Sequence, residues 1–329
     1  MSKSISIWLF TCAAMVLSMA VIGAITRLTG SGLSMVEWRP LIGALPPLTE
    51  AEWQRVFDLY QQSPEFIHKN NWMDLSAFKE IFFWEWFHRL WGRLIGVVYA
   101  LPLLFFWLRG IVPTSLKPKL IIGLILGGLQ GLMGWYMVKS GLADNPYVSH
   151  YRLAAHLSLA FLIYSYLLWL AFAAWPKNYD ATRLPASNCL KRHGIAAFAA
   201  VFITLIWGAF VAGLDAGLIY NSWPLMNGNM FPDGSFAPLN EAGWVQFIHR
   251  WIAALAVILV IDFTWRGWRE LTQVKWIFIC LGLAVIGQFT LGIATLILGV
   301  YLPLATLHQF GAFIVGGFCV LGLYQCYKA

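Results

Sequence analysis

The chain has 329 residues, of which 60% are hydrophobic and only 11% charged, with a formal net charge of +7 and a mean hydropathy of +0.68. A soluble domain carries about a quarter charged residues, so a water-soluble protein is excluded. The apolar runs approach the length of a helical span rather than the short alternating strand of a barrel, which defines an all-α integral membrane protein. No basic soluble segment exists to make the positive charge a nucleic-acid signal.

The first predicted span covers 5–27. It is longer than a signal-peptide core, lacks an evident small-residue cleavage site, and follows no Arg- and Ser-rich transit segment, which points to a multi-pass protein of a bacterial plasma (inner) membrane. The loop 29–85 follows, with eight acidic residues against four basic ones. Within it, Thr49-Glu50-Ala51-Glu52 matches a capping box. Trp53, Val56, Phe57 and Tyr60 then recur at helical spacing. This predicts a short amphipathic helix that either caps the N-terminal half or offers a partner-binding surface. Ala77 to Trp86 reads as an outward extension of the second span.

Seven more spans are predicted over 88–108, 119–139, 153–175, 194–214, 248–265, 276–300 and 303–326. Basic residues cluster in alternate short connections: Lys3; Arg109, Lys117 and Lys119; Lys177, Arg183, Lys191 and Arg192; Arg266, Arg269 and Lys275; Lys328. By the positive-inside rule both termini face the cytoplasm and the loop 29–85 faces out. Cys12, Cys280, Cys319 and Cys326 lie in spans and Cys189 in a cytoplasmic loop, so no outward-facing disulfide is expected.

Four histidines, His88, His156, His249 and His308, lie near the outer ends of spans 2, 4, 6 and 8. Each is followed 21, 21, 17 or 20 residues later by the basic residue closing its span. At 1.5 Å per residue that is roughly 25–32 Å, about one hydrocarbon thickness, so all four share one depth near the periplasmic face. Ionisable side chains there are costly and mark function. Imidazole is a ready axial ligand of heme iron. His68, His150 and His193 have no repeat partner.

The chain also repeats. Gly32-Leu33, Trp38, Pro40-Leu41 and Gly43 correspond to Gly217-Leu218, Trp223, Pro224-Leu225 and Gly228. Gln130 with Gly134 corresponds to Gln288 with Gly292, and Ala160-Phe161 to Ala312-Phe313. Two similarly oriented four-helix bundles follow, 1–175 and 194–329, joined by a cytoplasmic linker 176–193 and related by a pseudo-twofold axis along the membrane normal. Each bundle offers one histidine pair.

The halves differ at one telling position. Glu85 precedes His88 by three residues, where Gln246 precedes His249. Positions three apart share a helix face, and a carboxylate can manage protons or stabilise a cation where an amide cannot. The N-terminal site is therefore expected to do chemistry and the C-terminal one to carry electrons. Arg89 and Arg250 are candidates for heme propionates, with Arg27 and the snorkelling Arg93 as further cations. Gln130 and Gln288 are either supports for the histidines or plain interhelical hydrogen bonds.

Paired-histidine bundles in tandem, the Glu85-to-Arg89 start of span 2, Gly30-Ser31-Gly32-Leu33-Ser34 and Ser63-Pro64-Glu65-Phe66 resemble the heme A synthase family over nearly the whole chain. The resemblance implies oxidation of the C8 methyl of heme O to a formyl group in two successive steps, serving cytochrome oxidase assembly. It implies that His88 and His156 frame the iron of the substrate heme O with Glu85 catalytic, and that His249 and His308 ligate a heme b. A heme O synthase is the candidate partner. Some members carry a cysteine pair in the first outer loop, and 29–85 has none. The chain thus resembles the branch shared by mitochondria and related bacteria. The alternatives are a quinone-linked di-heme b-type electron carrier and a repeat-built transporter.

Overall fold

The computed structural model describes residues 3–37, 42–142, 146–176 and 186–328. Trp38, Pro40, Leu41, Lys177 and Arg183 lie outside them. Eight helices are long and apolar enough to cross a membrane. They are α1 (Lys3–Leu28), α3 (Leu75–Leu108), α4 (Lys117–Lys139), α5 (His150–Ala174), α6 (Asn188–Gly213), α7 (Ala242–Glu270), α8 (Lys275–Ile297) and α9 (Leu302–Tyr327), and the shorter α2 is Glu50–Gln61.

The expected amphipathic helix is α2. The Thr49 side chain accepts from Glu52 N at 3.2 Å, which satisfies one of the donors that a helix start leaves unpaired, and Glu52 Oε2 accepts from Leu48 N, just before the cap, at 3.0 Å. Its apolar face does not stand alone. Tyr60 stacks on Phe78 at 5.0 Å and Trp53 meets Phe82 edge-on at 5.1 Å. These partners lie on α3, which begins at Leu75 under the Asp74 cap, so the outward extension expected over Ala77 to Trp86 is continuous with the span expected from 88. The extension is helical because Phe78, Ile81 and Phe82 form one stripe that is buried beneath α2. Likewise α7 begins at Ala242 rather than 248. His88 and His249 therefore sit inside their helices, not at the ends.

In the transmembrane body α1, α5, α6 and α9 pack together at the centre, while α3 with α4 and α7 with α8 flank them. Small residues allow the close approaches. A Cβ on Gly316 of α9 would stand 2.4 Å from the Phe161 ring of α5, and one on Gly267 of α7 would stand 2.1 Å from Phe278 of α8. Phe161 and Phe313, equivalent in the sequence repeat, meet edge-on at 5.3 Å. The halves are further joined by Gln309, which donates to the Ala20 carbonyl at 2.6 Å.

Candidate functional site

Each of the four histidines lies against a glycine on the transmembrane helix before its own. A Cβ on Gly23 of α1 would be 3.7 Å from His88 Cε1, and one on Gly208 of α6 would be 3.2 Å from His249 Cε1. A Cβ on Gly134 of α4 would be 3.1 Å from His156 Cε1, and one on Gly292 of α8 would be 2.8 Å from His308 Cε1. The four contacts repeat between the halves. The second two were visible as paired Gln and Gly motifs. Gly23 and Gly208 were missed, although the offset separating them is that of Gly32 and Gly217.

Gln130 settles as a partner of a histidine. Its Nε2 lies 3.2 Å from His156 Nδ1 and donates to the His156 carbonyl at 3.1 Å. Gln288 repeats the arrangement, with Nε2 at 3.1 Å from His308 Nδ1 and 2.8 Å from the His308 carbonyl. His156 and His88 are near enough to interact electrostatically, as are His249 and His308. Among the described residues no group of three or more His, Cys, Asp or Glu side chains stands together as a metal site. Each pair is made of two imidazoles, and imidazole is a ready axial ligand of heme iron.

Glu85 is 3% exposed. Its Oε1 accepts from Arg89 Nη2 at 2.5 Å, and its Oε2 accepts from Ser34 Oγ at 2.8 Å and from Met35 N at 2.7 Å. Arg89 continues to the carbonyls of Met35 at 3.0 Å and Glu37 at 3.3 Å. Gln246 and Arg250 build the same clamp with the polarity of one member reversed. Gln246 Nε2 donates to the Ala216 and Tyr220 carbonyls at 2.8 and 3.2 Å, and its Oε1 accepts from Arg250 at 2.9 Å. Arg250 also donates to the carbonyls of Tyr220 and Ser222 at 2.8 and 2.9 Å. In both halves the clamp ties the segment after the first transmembrane helix to the helix carrying the first histidine. The carboxylate suits loop donors and the amide suits loop carbonyls.

The clamp engages both arginines expected to meet an anionic ligand. Arg89 nevertheless also lines a cavity of about 200 Å³ with Met35, Val36, Trp135, Val138, Lys139 and Leu142. Arg27 is used differently, crossing to the other half to reach Asp215 at 2.9 Å and the Ala212 carbonyl at 2.8 Å. His150, set aside on sequence grounds, has its Nε2 3.0 Å from the Leu239 carbonyl, and His193 pairs with Asp262.

A multi-pass helical membrane protein with two imidazole pairs, each backed by glycine and glutamine, is the class that this fold and site define. Residues 6–320 match the family of cytochrome oxidase assembly proteins, COX15-CtaA, and the chain belongs to that family. It is 47% identical to the heme A synthase of Rhodospirillum centenum over 98% of this chain and 88% of that protein. Over 95% of this chain and 93% of the relative, it is 45% identical to the heme A synthase of Maricaulis maris. The heme A synthase of Paramagnetospirillum magneticum is 42% identical over 98% of this chain and 94% of its own length.

Proposed function

We propose that the chain is a heme A synthase that oxidises the C8 methyl of heme O to a formyl group, with its substrate in the N-terminal half and a heme b in the C-terminal half. The observation that carries this reading is the repeated imidazole, glycine and glutamine arrangement, altered at a single clamp residue from Glu85 to Gln246. A bound heme b would supply one-electron transfer.

The residues fit such a group. His249 Nδ1 and the Oε1 atoms of Gln130 and Gln288 are buried without a partner. Ligation through Nε2 requires the proton on Nδ1, and a turned carboxamide would accept it. His249 and His308 would hold heme b, and His88 and His156 would hold the heme O iron. Arg89 and Arg250, at the same end of the bundle, are suited to propionates. Glu85 would hold or release a proton at Oε1 or Oε2.

Packing supports the N-terminal half as the exchangeable site. The buried residues of α4 are only Leu120 and Gly123, both near its start, whereas α8 buries Ile277, Phe278, Leu281, Gly282, Val285 and Thr295. A substrate must enter and leave; a permanent cofactor need not. The basic residues Arg109, Lys117, Lys119, Lys191, Arg192, Arg266, Arg269 and Lys275 lie at the helix ends opposite the histidines, which supports a periplasmic histidine face in a bacterial inner membrane with both termini inside. The Phe161–Phe313 contact is where the axis relating the two bundles would run.

Co-expression with a heme O synthase, in a host that makes heme O but no heme A, tests the proposal by heme extraction and mass analysis. Formyl heme or its hydroxymethyl precursor is expected. Only heme B and heme O on a folded, heme-loaded protein would overturn the reading in favour of the electron carrier.

A further inference from the structure

The cavity of about 200 Å³ beside the N-terminal site has two cations in its lining, Arg89 and Lys139. The charge of Arg89 is already answered by Glu85 at 2.5 Å. The Glu37 carboxylate, next in the chain to the lining residue Val36, pairs with Arg55 at 3.1 Å. Arg93, a turn further along α3, is not in the lining. Lys139 is the last residue of α4, and its Nζ lies 5.2 Å from the centre of the Trp135 ring, which lines the same cavity. Among the described residues no carboxylate pairs with Lys139.

The C-terminal half reaches the same charge by another route. Gln246 is neutral, so Arg250 keeps its charge while donating to Gln246 and to the carbonyls of Tyr220, Ser222 and Leu225. The spacing that matches Gln130 and Gly134 to Gln288 and Gly292 also matches Lys139 to Ile297, the last residue of α8. One acid and two bases (Glu85, Arg89 and Lys139) thus correspond to a single base (Arg250, with Gln246 and Ile297). Both sets leave one positive charge. The acid that sets the N-terminal half apart cancels its arginine, and Lys139 restores the cation. Topology does not ask for a lysine at this end, because positive residues mark the cytoplasmic side.

We propose that Lys139 receives a carboxylate of the substrate at the N-terminal site, a propionate of the tetrapyrrole, within this cavity. Arg89 follows His88 directly, and Lys139 stands five residues beyond Gly134, which backs His156, or roughly 7.5 Å along the helix. The cavity is therefore beside the histidine pair. It is smaller than the roughly 300–1,000 Å³ of a pocket that encloses a whole organic ligand, so it suits an arm of the tetrapyrrole and not the ring. A lysine is a compact charge on a flexible stem, able to follow a carboxylate in and out, whereas Arg250 is fixed by its carbonyls. Lys139 binds and takes no part in the oxidation. The inference rests on the placement of the substrate in the N-terminal half.

The test is a binding titration of the full-length protein in lipid nanodiscs, with heme O and with its dimethyl ester, in which both propionates are blocked. Binding abolished by His88→Ala is assigned to the N-terminal site. Wild type should bind heme O about fivefold tighter than the ester, the upper end for a partly exposed ion pair. Lys139→Met should bring heme O to the affinity of the ester and leave the ester unmoved, and Lys139→Arg should keep the preference for the free acid. In turnover, Lys139→Met should raise KM by the same factor with kcat and heme b content unchanged. Equal binding of acid and ester by wild type would overturn the inference, as would a Lys139→Met variant that keeps the preference or weakens both ligands alike. No binding sensitive to His88→Ala would overturn both this inference and the proposed function. The expected binding pattern in a wild type that makes no heme A would count against the proposed function alone and support the carboxylate site.

Discussion

Glu85 and Arg89, one helical turn apart on α3, form a buried ion pair at 2.5 Å that reaches Ser34, Met35 and Glu37 in the segment following α1. Gln246 and Arg250 hold the corresponding segment with the same spacing and no net acid. Glu85→Gln keeps the shape but turns an amide group toward Ser34 or Met35, donors that need an acceptor, at a cost of about 1–3 kcal/mol. Product formation should fall at least tenfold while the C-terminal heme is retained. Pyridine hemochromogen spectra alongside product mass analysis would separate the two effects.

Gly23 and Gly292 should respond differently to alanine. The added methyl has ordinary van der Waals room beside His88 but stands 2.8 Å from His308 Cε1. Gly292→Ala should displace the imidazole at about 1–3 kcal/mol and lower the heme b content of the purified protein. Gly23→Ala should leave it unchanged.

Gln288→Leu removes the amide beside His308 Nδ1 without touching its Nε2. Loss of such an outer partner typically costs about 10–100-fold in metal affinity. Heme b retention should therefore drop and its redox potential should shift, measured by potentiometric titration. Gln130→Leu should instead weaken heme O binding and spare heme b.

The tie between Arg27 and Asp215 is partly exposed, with side chains 34% and 55% accessible. Arg27→Ala should change thermal stability by less than about 1 kcal/mol. A larger loss in a detergent melting curve would mean that the contact with the Ala212 carbonyl matters more than the ion pair.

The Glu65 carboxyl gives the loop a pH dependence of defined sign. Folded, it keeps its proton to about 7; unfolded, it loses it near the ordinary carboxyl value of 4.5. The folded loop therefore binds more protons between these values, so its stability is full below the lower one and declines as pH rises through the upper. Hydrogen exchange over 50–70, corrected for intrinsic rate, should show opening on the order of tenfold more frequent at alkaline than at mildly acidic pH. Glu65→Gln should flatten the difference.

Much of the site was legible because its signals are local. A histidine one span length from its closing basic residue, a Gln four residues before a Gly, and Glu85 or Gln246 three residues before a histidine are each patterns along a single span. The capping box at Thr49 likewise announced α2. What Glu85 and Arg89 hold was not legible, since Ser34 and Met35 lie about fifty positions away and a hydrogen-bond partner across a loop leaves no periodic trace. Arg27 was read as a candidate for an anionic ligand for the same reason, its acceptor Asp215 being in the other half.

The sequence by itself determined the number and approximate position of the membrane spans, the repeat and the residues with chemistry to offer, because these depend on hydropathy along the chain and on side-chain type. Only the tertiary structure decided that α1, α5, α6 and α9 form the centre, that glycines back the histidines, and that Glu65 is buried beside Tyr60. In a bilayer the lipid is as apolar as a neighbouring helix, so apolar residues surround each span and no stripe marks the face that packs. The partners are chosen by small residues and buried polar groups, whose pairing exists only once the helices have met.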